Sequence, residues 1–130
     1  MAQKIETASN DISSPALAFL GDSVFELFIR SRIVNECAGS ADELNKRSKM
    51  LTNAKAQAKI AHNLYSELTE EETSVYKRGR NHKSVTAPRS CSISEYRCAT
   101  GLEALFGFLY LEGRTDRIEE LIDLGCKDLT

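Results

Sequence analysis

Residues 102–111 read LEALFGFLYL, and Glu103 is the single charge among them. A helix that is apolar on every side has no face to give to water, so it must lie at the centre of whatever it folds into. Its small residues, Gly101, Ala104 and Gly107, would let neighbouring helices approach closely. The rest of the chain supplies those neighbours. Pro15 behind Ser13 and Ser14 opens a helix running to about Cys37, with Gly39 beyond it. Asp42 or Asn45 starts a short second helix, and Thr52 or Asn53 caps a third reaching about Glu67. Thr69–Glu72 and Ser92–Glu95 are capping-box patterns, opening a fourth helix to Gly79 and a fifth to Gly113. Residues 79–91 hold Gly, Asn, Ser and Pro without periodicity and read as the one long loop. A last amphipathic helix covers about 115–124. The expectation is one all-α domain of five to seven helices, over residues 15–126, with a flank at 1–14 and a tail at 127–130. A chain of 130 residues leaves no room for a second domain of ordinary size.

Several classes fall away on composition. No apolar run approaches the roughly 18 residues of a membrane span, and the first residues, MAQKIETASNDISS, are polar. Cys37, Cys91, Cys98 and Cys126 form no C-x-x-C pair and read as reduced thiols of a cytoplasmic protein without a membrane partner. Taken alone, the net charge of −2 disfavours nucleic acid, yet it conceals a polarity. Segments 46–59 and 77–97 together carry eleven of the 17 Lys and Arg residues against one acid, Glu95. Such a chain can present a basic face while remaining acidic overall. Ordinary solvated helix faces would give the same pattern.

Two carboxylates stand out against this background. On the first helix Leu17, Leu20, Val24, Leu27 and Phe28 share one face, and Asp22 lies on the flank with Ala18, Phe25 and Ile29. That flank is itself apolar, so Asp22 faces inward or into a cleft. Glu103 lies on the central helix. An unpaired buried carboxylate costs several kcal/mol, so each must be protonated, paired with a base such as Arg30 or Arg97, or bound to a cation. If the two converge, a divalent cation resolves their repulsion. Mg²⁺ prefers carboxylates and water, and beside a basic face it suits phosphodiester cleavage.

FLGDSVFE (19–26) resembles the signature helix of the ribonuclease III catalytic domain, and LEALFG (102–107) resembles its second metal-binding helix. KRGRNHK (77–83) and YRCATGLEALFGFLYL (96–111) resemble the Mini-ribonuclease III branch, a nuclease domain without a double-stranded-RNA-binding domain. The resemblance implies a ribonuclease III endonuclease-domain-like helical bundle acting as a homodimer with Mg²⁺ on double-stranded RNA. It further implies 5′-phosphates, two-nucleotide 3′ overhangs, and precursor 23S ribosomal RNA as substrate, with a ribosomal-protein helper left open. Asp22 and Glu103 take the catalytic and metal-binding positions. Two further acids of other branches correspond to Ala18 and Thr100 here. Thr100 and Glu26 are outer-shell candidates, Glu26 equally fitting an i,i+4 pair with Arg30.

Duplex RNA is read by shape through phosphates and 2′-hydroxyls, so a chain without tryptophan can serve. Lys46, Arg47, Lys49, Lys55 and Lys59 are expected along one phosphate strand. A loop of Lys77, Arg78, Gly79, Arg80, Asn81 and Lys83 is expected on the other, with Gly79 for close approach and Gln57 and Asn81 as 2′-hydroxyl donors. Staggered cutting needs two sites across a two-fold axis, with Phe19 and Phe25 as interface residues. The alternative reading is a non-catalytic duplex-RNA-binding or ribosome-associated module.

Overall fold

A computed structural model describes residues 11–82 and 87–129. It contains six α-helices: α1 (Ser14–Glu36), α2 (Ala41–Thr52), α3 (Ala54–Leu64), α4 (Glu70–Asn81), α5 (Ile93–Leu111) and α6 (Thr115–Gly125). A 3₁₀ turn, Tyr65–Glu67, follows α3. The caps are local chemistry. Side chains of Ser13, Ser40 and Asn53 accept from the amides of Ala16, Glu43 and Ala56, and both expected capping boxes form. Helix α2 therefore starts from Ser40, ahead of the expected Asp42 or Asn45. At the end of α5, Gly113 takes φ +73° and its amide donates to the Tyr110 carbonyl, while Arg114 donates to that of Leu109. That is a Schellman stop, a turn that favours glycine. Helix α4 runs through Gly79 to Asn81, past its expected end.

Helix α5 is the axis of the bundle. Residues 101–109 are buried apart from Glu103, which is half-buried, and α5 packs on α1, α3, α4 and α6, most extensively on α1. The α1–α5 crossing is backbone against backbone. A Cβ on Gly21 would stand 1.6 Å from the Glu103 carbonyl oxygen, and one on Gly107 would stand 2.1 Å from that of Leu17. Phe25 stacks on Phe106 beside this contact, ring centroids 5.4 Å apart.

This crossing corrects the reading of α1. Its buried stripe is Leu17, Ala18, Gly21, Val24, Phe25, Ile29 and Ile33, whereas Leu27 is exposed and Leu20 and Phe28 are half-buried. The stripe is centred on the residue that permits closest approach, and the helix is rolled towards its small side chains. Phe25 is fully buried within the chain itself and has no surface to offer an interface, while Phe19 is 83% exposed.

Helix α6 is tied down by an ion pair. Arg117 donates through Nε and Nη2 to both oxygens of the buried Glu72 at 2.9 and 2.8 Å, and through Nη2 to the Glu67 carbonyl. Burial alone would raise the Glu72 pKa, but Arg117 and the Thr69 amide hold it below its ordinary value. The four cysteines are free thiols. Among the described residues no helix is long and apolar enough to cross a membrane.

Alanine in place of helical glycine ordinarily gains about 1 kcal/mol. At Gly21 or Gly107 the added methyl instead meets a carbonyl oxygen, and the helices must separate. Gly21→Ala and Gly107→Ala should each lose about 3 kcal/mol or more in denaturant unfolding. Gly113→Ala, with no neighbour within 4 Å, should lose only the ~1–2 kcal/mol of a left-handed turn. Equal losses at all three positions would contradict the backbone crossing.

Candidate active site

The close contact at Gly21 places the next residue of α1, Asp22, against the turn of α5 that carries Glu103. The Asp22 carboxylate is close enough to act on the Glu103 carboxyl and raise its pKa. Asp22 is exposed, which removes the inward alternative of its expectation, and Glu103 is half-buried. Burial first, and the Asp22 charge second, push the Glu103 carboxyl up to about 8. The alternative of a salt bridge fades: Arg30 is engaged by Glu26, and the groups acting on Glu103 are Asp22 and Gln57.

Gln57 reaches this site from α3. It is buried, at 3% exposure, and its polar group lowers the Glu103 pKa, offsetting part of the rise from burial and from Asp22. It is therefore no donor to a 2′-hydroxyl. The signal was present in the sequence: Gln57 lies on the same helical face as Ile60, Ala61 and Leu64, the buried stripe of α3.

Gly79 is likewise corrected. It is buried within α4, and a Cβ there would meet Ala104 Cβ at 2.8 Å and Gly101 Cα at 3.0 Å, so its close approach is to α5. Lys77–Asn81 is thus the last turn of a helix rather than a loop. Gly79 seats that turn on Thr100, Gly101 and Ala104, the part of α5 next to Glu103. Lys77, Arg78 and Asn81 are exposed, and Arg80 is half-buried with its guanidinium 5.6 Å from the Tyr76 ring centre. Lys83 lies outside the described residues. Lys46, Arg47 and Lys49 are exposed on α2, as are Lys55 and Lys59 on α3, flanking Gln57.

Two other candidates have local partners. The Arg30 guanidinium donates to Glu26 Oε1 at 2.7 and 3.2 Å, which is the i,i+4 pair. Thr100 donates its hydroxyl to the Tyr96 carbonyl at 3.0 Å, inside its own helix. Among the described residues no cluster of three or more His, Cys, Asp or Glu could hold a metal. The pair Asp22 and Glu103 stands alone. Two crowded carboxyls, one retaining its proton near neutral pH, fit a hard cation completed by water better than an all-protein cage.

Comparison with known proteins agrees with this geometry. The Ribonuclease III domain family matches residues 15–114. A Mini-ribonuclease 3 of Thermoanaerobacter is 42% identical over 116 residues, 89% of this chain and 82% of that one. The Mini-ribonuclease 3 of Symbiobacterium thermophilum is 40% identical over 120 residues, 91% and 92% of the two chains. A crystal structure of a Fusobacterium nucleatum protein superposes with a TM-score of 0.82 at 38% identity, covering 92% of this chain and 96% of the other. The chain belongs to the Ribonuclease III domain family, on its Mini-ribonuclease 3 side, and is an endoribonuclease.

Proposed function

We propose that this endoribonuclease acts as a homodimer with Mg²⁺ on double-stranded RNA, leaving 5′-phosphates and two-nucleotide 3′ overhangs. Precursor 23S ribosomal RNA in the cytoplasm is the proposed substrate. The observation that carries this reading is the Asp22–Glu103 pair at the α1–α5 crossing. Asp22 and Glu103 would hold the cation, with water filling its other positions. When bound, Mg²⁺ supplies positive charge to the reacting phosphate and makes water more acidic.

The chain's own residues do the rest. Glu103 is half-buried, and Asp22 is exposed and open to incoming RNA. Lys46, Arg47, Lys49, Lys55, Lys59, Lys77 and Arg78 are exposed to receive phosphates, as is Asn81 for a sugar hydroxyl. Affinity gained through these phosphate contacts should weaken steeply with salt. The decisive assay incubates a perfect RNA duplex with and without Mg²⁺, using wild type and Asp22→Asn. Metal-dependent cutting should vanish in the variant while duplex binding persists. Binding by wild type without cutting under any divalent cation would favour the binding-module reading.

The raised Glu103 pKa gives a pH test. Between the ordinary value of 4.5 and about 8, the folded chain holds a proton that the unfolded chain has lost. Its stabilisation is full below about pH 4.5 and is lost as pH rises through about 8. The melting temperature of the metal-free protein should therefore fall across that window, with a shallower slope in Glu103→Gln. Mg²⁺ must displace the same proton, so the Mg²⁺ concentration for half-maximal cutting should fall as pH rises towards 8 and then level off. Identical slopes in wild type and Glu103→Gln would remove Glu103 as the titrating group.

Support for the dimer comes from the outer face of α1. Phe19, Leu27 and Val34 are large apolar side chains exposed on one side of α1, with Phe19 at 83%. An isologous contact along this row places two sites about a two-fold axis. Phe19→Glu should be monomeric by light scattering, with its helical content intact, and should no longer make staggered double-strand cuts. A variant that remains dimeric would exclude Phe19 from the interface.

A further inference from the structure

A cleft of about 380 Å³ opens where α3, the 3₁₀ turn, α4 and α5 meet. Its walls are His62, Tyr65, Ser66, Tyr76, Arg80 and Cys98. That volume lies in the range of small-ligand sites. The buried Tyr76 ring meets that of Tyr65 edge to face, centroids 5.9 Å apart, and Tyr65 itself is exposed. The Arg80 guanidinium stands 5.6 Å from the Tyr76 ring centre, and its Nε donates to Asn81 Oδ1 at 3.1 Å. It forms no ion pair among the described residues. Burial pushes the Tyr76 phenol up, so it stays uncharged at neutral pH. Although acids outnumber Lys and Arg by 19 to 17 in the chain, no carboxylate among the described residues lines this cleft.

An exposed aromatic ring beside an unpaired guanidinium, with no acid nearby, matches the two halves of a nucleotide. The ring face takes a base by stacking, and the guanidinium takes a phosphate. A continuous duplex offers phosphates and 2′-hydroxyls but keeps its bases stacked inside, so it has no use for an aromatic wall. An unpaired nucleotide has a free ring face and does. The cleft is separate from the carboxyl pair: Cys98 precedes Glu103 by five residues, about 7.5 Å along α5 and about 140° around it. It adjoins the basic surface, however. Exposed Lys59 lies one turn before His62 on α3, and exposed Lys77 one turn before Arg80 on α4. We infer that this cleft is a nucleotide subsite: Tyr65 stacks the base of an unpaired nucleotide of the RNA and Arg80 receives its phosphate, while Lys59 and Lys77 hold the adjoining duplex. The inference rests on the RNA-cutting reading above. It adds a means of preferring RNA whose duplex is interrupted.

The test uses the full chain without divalent cation, so that RNA is bound and not cut. Three probes are compared: a perfect blunt duplex, the same duplex with one bulged nucleotide, and free adenosine monophosphate. Affinity is read by fluorescence anisotropy, and occupancy of the cleft by the rate at which N-ethylmaleimide alkylates Cys98, followed by peptide mass spectrometry. Wild type should bind the bulged duplex about 5–100-fold more tightly than the perfect one, the worth of one base stacked on an aromatic ring. Tyr65→Leu should bind the perfect duplex as wild type does and lose that preference. Arg80→Gln should lose most of it, and Tyr65→Phe should keep it. The bulged duplex should slow alkylation of Cys98, and the perfect duplex should not. Should Tyr65→Leu misfold, the alkylation of Cys98 in wild type decides alone. Equal affinity of wild type for both duplexes, with Cys98 alkylated equally fast in both complexes, would overturn the inference. Protection of Cys98 by the free nucleotide alone would overturn the RNA source. Failure of wild type to bind either duplex would overturn the RNA reading instead.

Discussion

Everything at the site depends on two helices that touch through their backbones. Gly21 and Gly107 remove the side chains that would hold α1 and α5 apart. Asp22 and Glu103 then have no means of avoiding each other. Raising a carboxyl from 4.5 to about 8 corresponds to about 5 kcal/mol against ionisation. The fold can sustain such a pair because the same crossing buries Leu17, Phe25, Leu105 and Phe106, each contributing ~1.5–3 kcal/mol. At neutral pH the metal-free protein also avoids most of the cost, since Glu103 retains its proton. The electrostatic demand appears only when that proton leaves, which is the moment a cation can replace it.

How much of this was legible in the sequence varies by residue. The central position of α5 was, because a helix without a polar face has only one place to go. Both capping boxes were, because they depend on neighbours three residues apart, whereas the Ser40 cap of α2 was missed for Asp42 or Asn45. The roll of α1 was not: periodicity shows that a helix has an apolar side, while closest approach decides which residue lies at its centre. Leu27 and Phe25 exchanged places for that reason. Glycine is the harder case. At Gly113 it ends a helix through a positive φ, and at Gly79 it lies inside one because α5 is close, and the two look alike in sequence. Gln57 was misassigned by its chemistry, as a polar group expected at a surface, although its helical register pointed inward. The carboxyl pair was found because a charge in an apolar setting requires an explanation wherever it falls.

The charge distribution also changes meaning once pairing is known. Acids of α6 are engaged by arginines of the fold itself: Asp123 by Arg32, Glu120 by Arg117. Glu71 and Glu72 of α4 are held by Arg114 and Arg117. In the two basic segments, by contrast, Lys46 alone forms an ion pair among the described residues, a 3.5 Å exposed contact with Asp42. Such a contact is worth little in water. A net charge of −2 therefore coexists with a set of cations on α2, α3 and α4 that the protein does not neutralise internally. Of those helices, α3 packs on α5, and α4 is seated by Gly79 on Thr100, Gly101 and Ala104, next to Glu103.

Having only two acids at the site has its own logic. At the positions where other branches of the family carry further carboxylates, Ala18 is buried in the α1 stripe, and Thr100 donates its hydroxyl to its own helix. A third carboxylate would strengthen attraction for a cation. It would also repel the scissile phosphate: two like charges 4 Å apart at an effective dielectric of 20 differ by about 4 kcal/mol from a neutral neighbour. With two acids, the attraction for a cation and the repulsion of the phosphate would both be reduced.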